Sequence, residues 1–299
     1  MAHLQPEEMH QLIDQAAPYY LAAGFHVGEH RLEVLDAAQV LSALALSQGI
    51  QVDGQVVVLA ANWHDAGMAL SPNDVYIHED NGVRPAHSSE EIAAELFDRA
   101  GQRVGAPKRL IHAVKGAIVS TNPMVPPKST EAKILAAADV HGVGFDPYDE
   151  FVSNTRALWD EAKWRQARDI DWPDFVRGSM QYLGLFIARD IRLTQRYFDE
   201  QRRSAWHLGA VENILGLSRE VWDDDTTTQG TWIDARRLDL RFGDDTESVA
   251  ISMPVNNNVL SIPSDMLDVL SVSDRLARTP GVAKEVGRVL SDSGTLAVR

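Results

Sequence analysis

The stretch Leu59-Ala-Ala-Asn-Trp-His-Asp-Ala-Gly67 (LAANWHDAG) places two ionisable side chains, His64 and Asp65, inside a run from Gln55 to Leu70 that is otherwise almost wholly apolar. Apolar residues on most sides of a helical wheel predict a buried helix over this run. A carboxylate in such surroundings is costly unless it is paired or bound to a metal. The dipeptide therefore asks for partners from elsewhere in the chain.

Working outward, Leu32 to Leu46 is a second run rich in Leu, Ala and Val, and it too reads as a helix buried on most sides. Just ahead of it lies Phe25-His-Val-Gly-Glu-His30, with His26 and His30 four apart. If the helix includes them, both rings leave one face. On the C-terminal side, Ile134-Leu-Ala-Ala-Ala-Asp-Val140 buries another carboxylate, Asp139, in an Ala-rich helix expected over Glu131 to Val143. The alanines allow close approach of the helix backbone. Two imidazoles and two carboxylates converging from three helices satisfy one another by sharing a divalent ion. Taken singly, a histidine on an apolar helix is a core residue more often than a ligand. The order His, His-Asp, Asp within 110 positions raises the reading above that.

These three segments resemble the HD superfamily of metal-dependent phosphohydrolases, whose pattern is H…HD…D. The residues that carry the resemblance are His30 in GFHVGEHRLEVLDAA, His64-Asp65 in LAANWHDAG and Asp139 in EAKILAAADVHGVG, and the likeness spans roughly residues 20–200. It implies an all-helical metal-binding domain that hydrolyses a phosphoester or phosphoanhydride of a small substrate, usually a nucleotide. By the same resemblance the ion is held by His30, His64, Asp65 and Asp139. Asp65 is then the carboxylate that orients the attacking water, and His26 the imidazole that donates a proton to the leaving oxygen. A structural hydrogen bond at the mouth of the domain explains His26 equally well.

Two-metal members of the family add two histidines between the dipeptide and the last Asp. His87, just before Ser88, falls near the first of these and is a candidate second-shell or second-metal residue. The position resembling the second is Thr121, 18 residues before Asp139, and a hydroxyl is a poor ligand beside imidazole. His112 falls opposite Leu110, Val114, Ala117 and Thr121 on a helical wheel, with Lys108 and Lys115, as on a solvated face. One metal is therefore favoured over two, and a di-iron oxygenase of the same fold is the remoter alternative, which a shifted register of this helix would revive. His and carboxylate ligands suit Mn, Fe, Co, Ni or Zn, and match Mg less well. Several single-metal nucleotidases of the family carry a Glu soon after the dipeptide, where this chain has Ala66-Gly-Met68. Asp74, Glu79 and His87 are the substitutes within reach in sequence. The missing Glu also keeps open a non-catalytic alternative, a nucleotide-binding sensor or scaffold.

Other segments read as follows. Ser88-Ser-Glu-Glu91 fits a capping box and predicts a helix from Ser89 to about Ala100. Pro107 opens another, to about Thr121, and the three prolines between Asn122 and Ser129 make a loop. Phe175 to Arg203 predicts one or two long helices. Arg84, in the Asn81-Gly-Val-Arg-Pro loop ahead of the Ser88 helix, is the candidate phosphate contact. After a polar linker at about 223–230, alternation over Trp232 to Phe242, Ser248 to Val255 and Val259 to Ile262 predicts short strands. The expected organisation is mainly α: an HD-type helical domain over 1–217, then a small α+β domain over 218–299.

Composition bounds the rest. The 299 residues contain no cysteine, which excludes disulfides, thiolate metal sites and cysteine nucleophiles. A formal net charge of −15 opposes binding to a nucleic acid polymer or an anionic membrane, while leaving a small phosphorylated substrate open. The polar N-terminus lacks the apolar core of a signal peptide, so a cytoplasmic location is expected. A homodimer is expected on analogy alone.

Overall fold

The computed structural model describes residues 4–68, 70, 75–79 and 82–187, with shorter stretches at 206, 209–210, 212–214, 216–217, 240–242, 248–253 and 258–263. The chain is mainly helical and divides into two compact units, one over residues 1–141 with 293–299 and one over 142–292. The linker anticipated at 223–230 lies outside the described residues.

The first unit is built around a central helix. Helix α1 (Pro6–Ala16) is followed by a 3-10 turn at Ala17–Tyr19, then α2 (Gly28–Ser47) and α3 (Gly54–Trp63). Helix α3 is the buried one: Val56, Val57 and every residue from Leu59 to Trp63 are shielded from solvent. Its N-terminus is capped by the Asp53 carboxylate, which accepts from Gln55 N and Val56 N. Asp53 N in turn donates to Glu131, 2.9 Å away, in the first turn of α6 (Thr130–Asp139). The Trp63 indole, fully buried, donates to the Leu12 carbonyl of α1 at 3.0 Å, so its polar edge is satisfied inside the core.

Helix α2 corrects an expectation. It buries one stripe, His30, Val34, Ala37, Ala38, Leu41 and Ala45, while Leu32 and Leu46 are 51% and 53% exposed. The stripe is rich in alanine and faces α3 and α6, which carry Ala60, Ala61 and Ala136 to Ala138 toward the core. Small residues on all three helices let their backbones approach closely, and that brings the polar residues at their ends together.

A hairpin stands where a loop was expected. Strands β1 (Tyr76–Glu79) and β2 (Gly82–Pro85) pair antiparallel, Tyr76 opposite Pro85 and Ile77 opposite Arg84. The sequence carried its signal: the turn-forming residues Asp80-Asn-Gly82 after the β-favouring run Val75-Tyr-Ile. Helix α4 (Ser89–Arg103) begins as predicted, with Ser88 Oγ accepting from Glu91 N. The reciprocal half of the capping box is displaced by one residue, since the Glu91 carboxylate accepts from His87 N at 2.8 Å. Helix α5 (Lys108–Val119) starts after Pro107, and α6 starts at its Ser129 cap. The helix expected to reach Val143 stops at Asp139, and a separate short helix, α7 (His141–Phe145), follows.

In the second unit, α8 (Tyr148–Gln166) ends on Ala167 in the left-handed region (φ 47°). Helix α9 (Trp172–Ile187) opens three residues earlier than predicted, and residues 188–205 lie outside the described ones. Arg156 of α8 sits over the Trp172 ring at 4.5 Å, a cation–π contact that joins the two helices, while Lys163 covers Trp159 at 3.5 Å within α8 itself. Strands β3 (Leu240–Phe242), β4 (Ser248–Met253) and β5 (Asn258–Pro263) form an antiparallel sheet in that order, at the positions where alternation predicted them. Among the described residues, no helix is long and apolar enough to cross a membrane.

Candidate metal centre

Three chain segments of the first unit deliver the four expected ligands. His30 comes from the first turn of α2, His64 and Asp65 from the turn that ends α3, and Asp139 from the last residue of α6. One ligand atom from each lies within 4.8 Å of all the others. The closest separations are His64 Nε2 to Asp65 Oδ2, 2.9 Å, and to Asp139 Oδ1, 3.4 Å. His30 Nε2 stands 3.6 Å from Asp65 and 3.8 Å from Asp139.

The dipeptide is not inside the helix, as the apolar run suggested, but just beyond it. Residues 64–68 form turns, with Ala66 N donating to Trp63 O and Met68 N to Asp65 O. Gly67 makes this possible. Its φ is +92°, a Cβ there would lie 2.7 Å from Ile92 Cγ2, and its N–H donates to Tyr19 O across the fold. Asp65 is thereby aimed at the ends of α2 and α6 rather than along the face of α3.

Hydrogen bonding fixes which histidine nitrogens face the cluster. His64 Nδ1 lies 2.9 Å from the Ala61 carbonyl. A carbonyl can only accept, so Nδ1 carries the hydrogen and Nε2 keeps its lone pair in the neutral ring. His30 Nδ1 faces the exposed Glu33 carboxylate at 3.7 Å, which likewise leaves Nε2 for the cluster. Although only 2.9 Å apart, His64 Nε2 and Asp65 Oδ2 are not aligned as donor and acceptor, and both are buried without a hydrogen-bond partner. An imidazole lone pair beside a carboxylate oxygen is repulsive unless a cation or a proton stands between them.

The electrostatics agree. Burial opposes ionisation of Asp65, but the fields of His64, His26 and His30 outweigh it and hold the carboxyl well below its usual range. Asp139 is also lowered, against burial, by its contacts with His30 and His64. Burial opposes protonation of His30, yet Asp139, Glu33 and Asp65 together raise its pKa to about 9. For His64, wholly buried, the Asp65 charge overrides burial and the shift is again upward. Two ionised carboxylates in this pocket call for about two positive charges. Two imidazolium protons meet that requirement, and so does one divalent ion on neutral imidazoles. Ligand bonds of about 2.0–2.2 Å place adjacent ligand atoms of a tetrahedral site roughly 3.3–3.6 Å apart, so the four residues fit a metal with small adjustments.

The remaining candidates separate. His26 lies ahead of α2 rather than on a shared helical face with His30; its ring is edge-on to His30 at 5.9 Å and half-buried. His87 is exposed and stands outside the four-residue group, as is His112 on the outer side of α5. Thr121 is buried just past the end of α5, its hydroxyl donating to Ile118 O at 2.9 Å. Arg84 donates from both terminal nitrogens to Glu91, at 2.8 and 2.9 Å, and pins the hairpin to the start of α4. Asp74 lies outside the described residues.

Sequence reasoning missed Tyr20 and Glu33. Glu33 had a readable signal, one helical turn after His30. Tyr20 had none: its hydroxyl donates to the Asn62 carbonyl at 3.1 Å across 42 residues, and its ring meets His64 at 6.5 Å. Burial, aided by the Asp65 charge, pushes its phenol up to about 12, so it stays neutral beside the cluster.

Comparison with protein-family models, with curated proteins and with solved structures finds no match for this chain.

Proposed function

We propose that this chain is a metal-dependent phosphohydrolase that cleaves a phosphoester or phosphoanhydride of a small substrate, a nucleotide being the class that the H…HD…D resemblance implies. The observation that carries the reading is the convergence of His30, His64, Asp65 and Asp139 on one point, with both Nε2 atoms turned inward and both carboxylates held ionised. One divalent transition metal fits this donor set, and when bound it supplies Lewis-acid polarisation of a phosphoryl oxygen and a more acidic water.

The chain's own residues supply the rest. His30, His64 and Asp139 bind, each from the end of a rigid helix, so their geometry is set before substrate arrives. Asp65, ionised in the turn, accepts a hydrogen bond from the attacking water and orients it toward phosphorus. His26, whose ring lies edge-on to His30, is the imidazole we assign as proton donor to the oxygen that departs. The water oxygen bonds to phosphorus as the phosphorus–oxygen bond to the leaving group breaks, and one water is added overall.

A second reading rests on a specific feature. Met68, buried, stands in the segment where single-metal nucleotidases of the resembled family carry a catalytic Glu. A nucleotide-binding sensor without turnover accommodates that residue. Phosphate release from a panel of nucleoside mono-, di- and triphosphates, before and after chelation, decides between them. The hydrolase reading expects metal-dependent release from at least one. Nucleotide binding to metal-loaded protein without release supports the sensor, and neither binding nor release removes both.

A further inference from the structure

We infer that Arg31, in the first turn of α2, is an anion-binding residue of this site and receives the oxyanion of the phosphoryl group brought to the metal. This rests on the hydrolase or nucleotide-binding reading for its setting, and on separate observations for the residue. Arg31 Nε and Nη1 are buried, and neither has a hydrogen-bond partner. Among the described residues, no carboxylate lies within ion-pair distance of the guanidinium; what it touches is the Tyr20 ring, 5.7 Å from Cζ to centroid. Buried guanidinium donors are ordinarily matched by acceptors, because leaving them unmade costs a full desolvation. Donors without an acceptor in the protein are arranged for an acceptor that comes with a ligand.

Tyr20 ties this guanidinium to the cluster. Its hydroxyl bonds to Asn62 O, two residues before His64, its ring abuts His64, and both Arg31 and Asp65 act on its phenol electrostatically. The ring is a neutral platform with Arg31 on its π face and the metal ligands beside it.

Charge explains why such a residue is needed. With two carboxylates at the cluster, Glu33 beside it and −15 on the whole chain, a divalent ion alone leaves a dianionic phosphoryl group facing a net negative pocket. Arg84 does not relieve this, since both its terminal nitrogens are held by Glu91. Arg31 offers a planar, permanently charged guanidinium, which suits a phosphoryl oxyanion better than a point-charged ammonium does. The ligand class it fits is therefore an oxyanion, which at a phosphohydrolase centre is the phosphoryl group, and a neutral ligand gains less from it.

The test is calorimetric titration of inorganic phosphate into the full chain, with and without loaded metal, for the wild type, Arg31→Gln and Arg31→Lys. The folded state of each is checked by thermal melting and its metal content by mass spectrometry. Arg31→Gln is expected to weaken phosphate binding roughly 10- to 100-fold with metal content unchanged. Arg31→Lys, which keeps the charge but not the planar guanidinium, is expected to fall between. Equal phosphate affinity in wild type and Arg31→Gln overturns the inference, as does a wild type that binds no phosphate. Because the readout is an affinity ratio, it is independent of turnover. Phosphate release from substrate with no Arg31 effect leaves the function standing and this inference refuted. No release with a clear Arg31 effect does the reverse.

Discussion

Replacing Gly67 by alanine tests how the turn after α3 positions Asp65. Two costs are superposed at this glycine. Its φ of +92° is strained for any residue with a Cβ, at about 1–2 kcal/mol. The added Cβ would also lie 2.7 Å from Ile92 Cγ2 and 2.9 Å from Leu96 Cδ1, and Ile92 is only 1% exposed. Overpacking of that kind costs roughly 1–3 kcal/mol, so the sum is about 2–5 kcal/mol. Gly49, which ends α2, supplies the control: its φ is +78° and nothing stands within 4 Å of a Cβ built there. Gly49→Ala should therefore lose only the backbone part. Urea unfolding of metal-free protein, followed by circular dichroism, measures both. The backbone can escape the clash only by moving the turn, and Asp65 moves with it. Gly67→Ala is therefore also expected to bind metal more weakly, whereas Gly49→Ala is not. If the two variants are equally stable and bind metal alike, the packing argument for the turn is wrong.

Three further outcomes follow from the site. Metal affinity should rise with pH between about 6.5 and 9, because the metal-free imidazoles hold protons that binding must displace. The sign is fixed by the upward shifts of His30 and His64: protons compete most strongly below those pKa values. The slope is about tenfold per pH unit for each proton released, and affinity that falls or stays flat across this window contradicts it. Glu33→Gln removes the carboxylate facing His30 Nδ1 and should reduce metal affinity by roughly 10- to 100-fold with little change in melting temperature, since Glu33 is 67% exposed; competition against a chelating dye reads this directly. His87→Ala and His112→Ala, both at exposed positions, should leave metal stoichiometry unchanged by elemental analysis.

How far the chain could be read depended on the range of the force involved. His64, Asp65 and Asp139 stood out because a charge inside an apolar run is anomalous on sequence alone, and the structure places them with His30 around one point. The end of α3 was not legible in the same way. Leu59 to Met68 keeps a helical apolar pattern, and what stops the helix is the turn at Gly67, secured by a bond to Tyr19 that is 48 positions distant. The hairpin at Tyr76–Pro85 was legible in the turn-forming run Asp80-Asn-Gly82 and was overlooked. The pairing of Arg84 was not legible either, because a single carboxylate, Glu91, serves both the helix cap and the guanidinium. Arg31 carried no local mark, since an arginine beside a histidine is ordinary in sequence. Its buried, unpartnered donors become visible only once Tyr20 is folded over it.

The central claim is that His30, His64, Asp65 and Asp139 hold one metal ion, and elemental analysis of untagged protein tests it most directly. Wild type, His64→Ala and Asp139→Ala would be purified and measured side by side, as isolated and after reconstitution. The account predicts about one equivalent of a transition metal in the wild type, lost in both variants. Two equivalents would contradict the single-ion reading and return His87 and His112 to consideration as ligands. No metal in any preparation, even after reconstitution, would contradict the claim itself and leave the cluster as a proton-balanced arrangement of two imidazoles and two carboxylates.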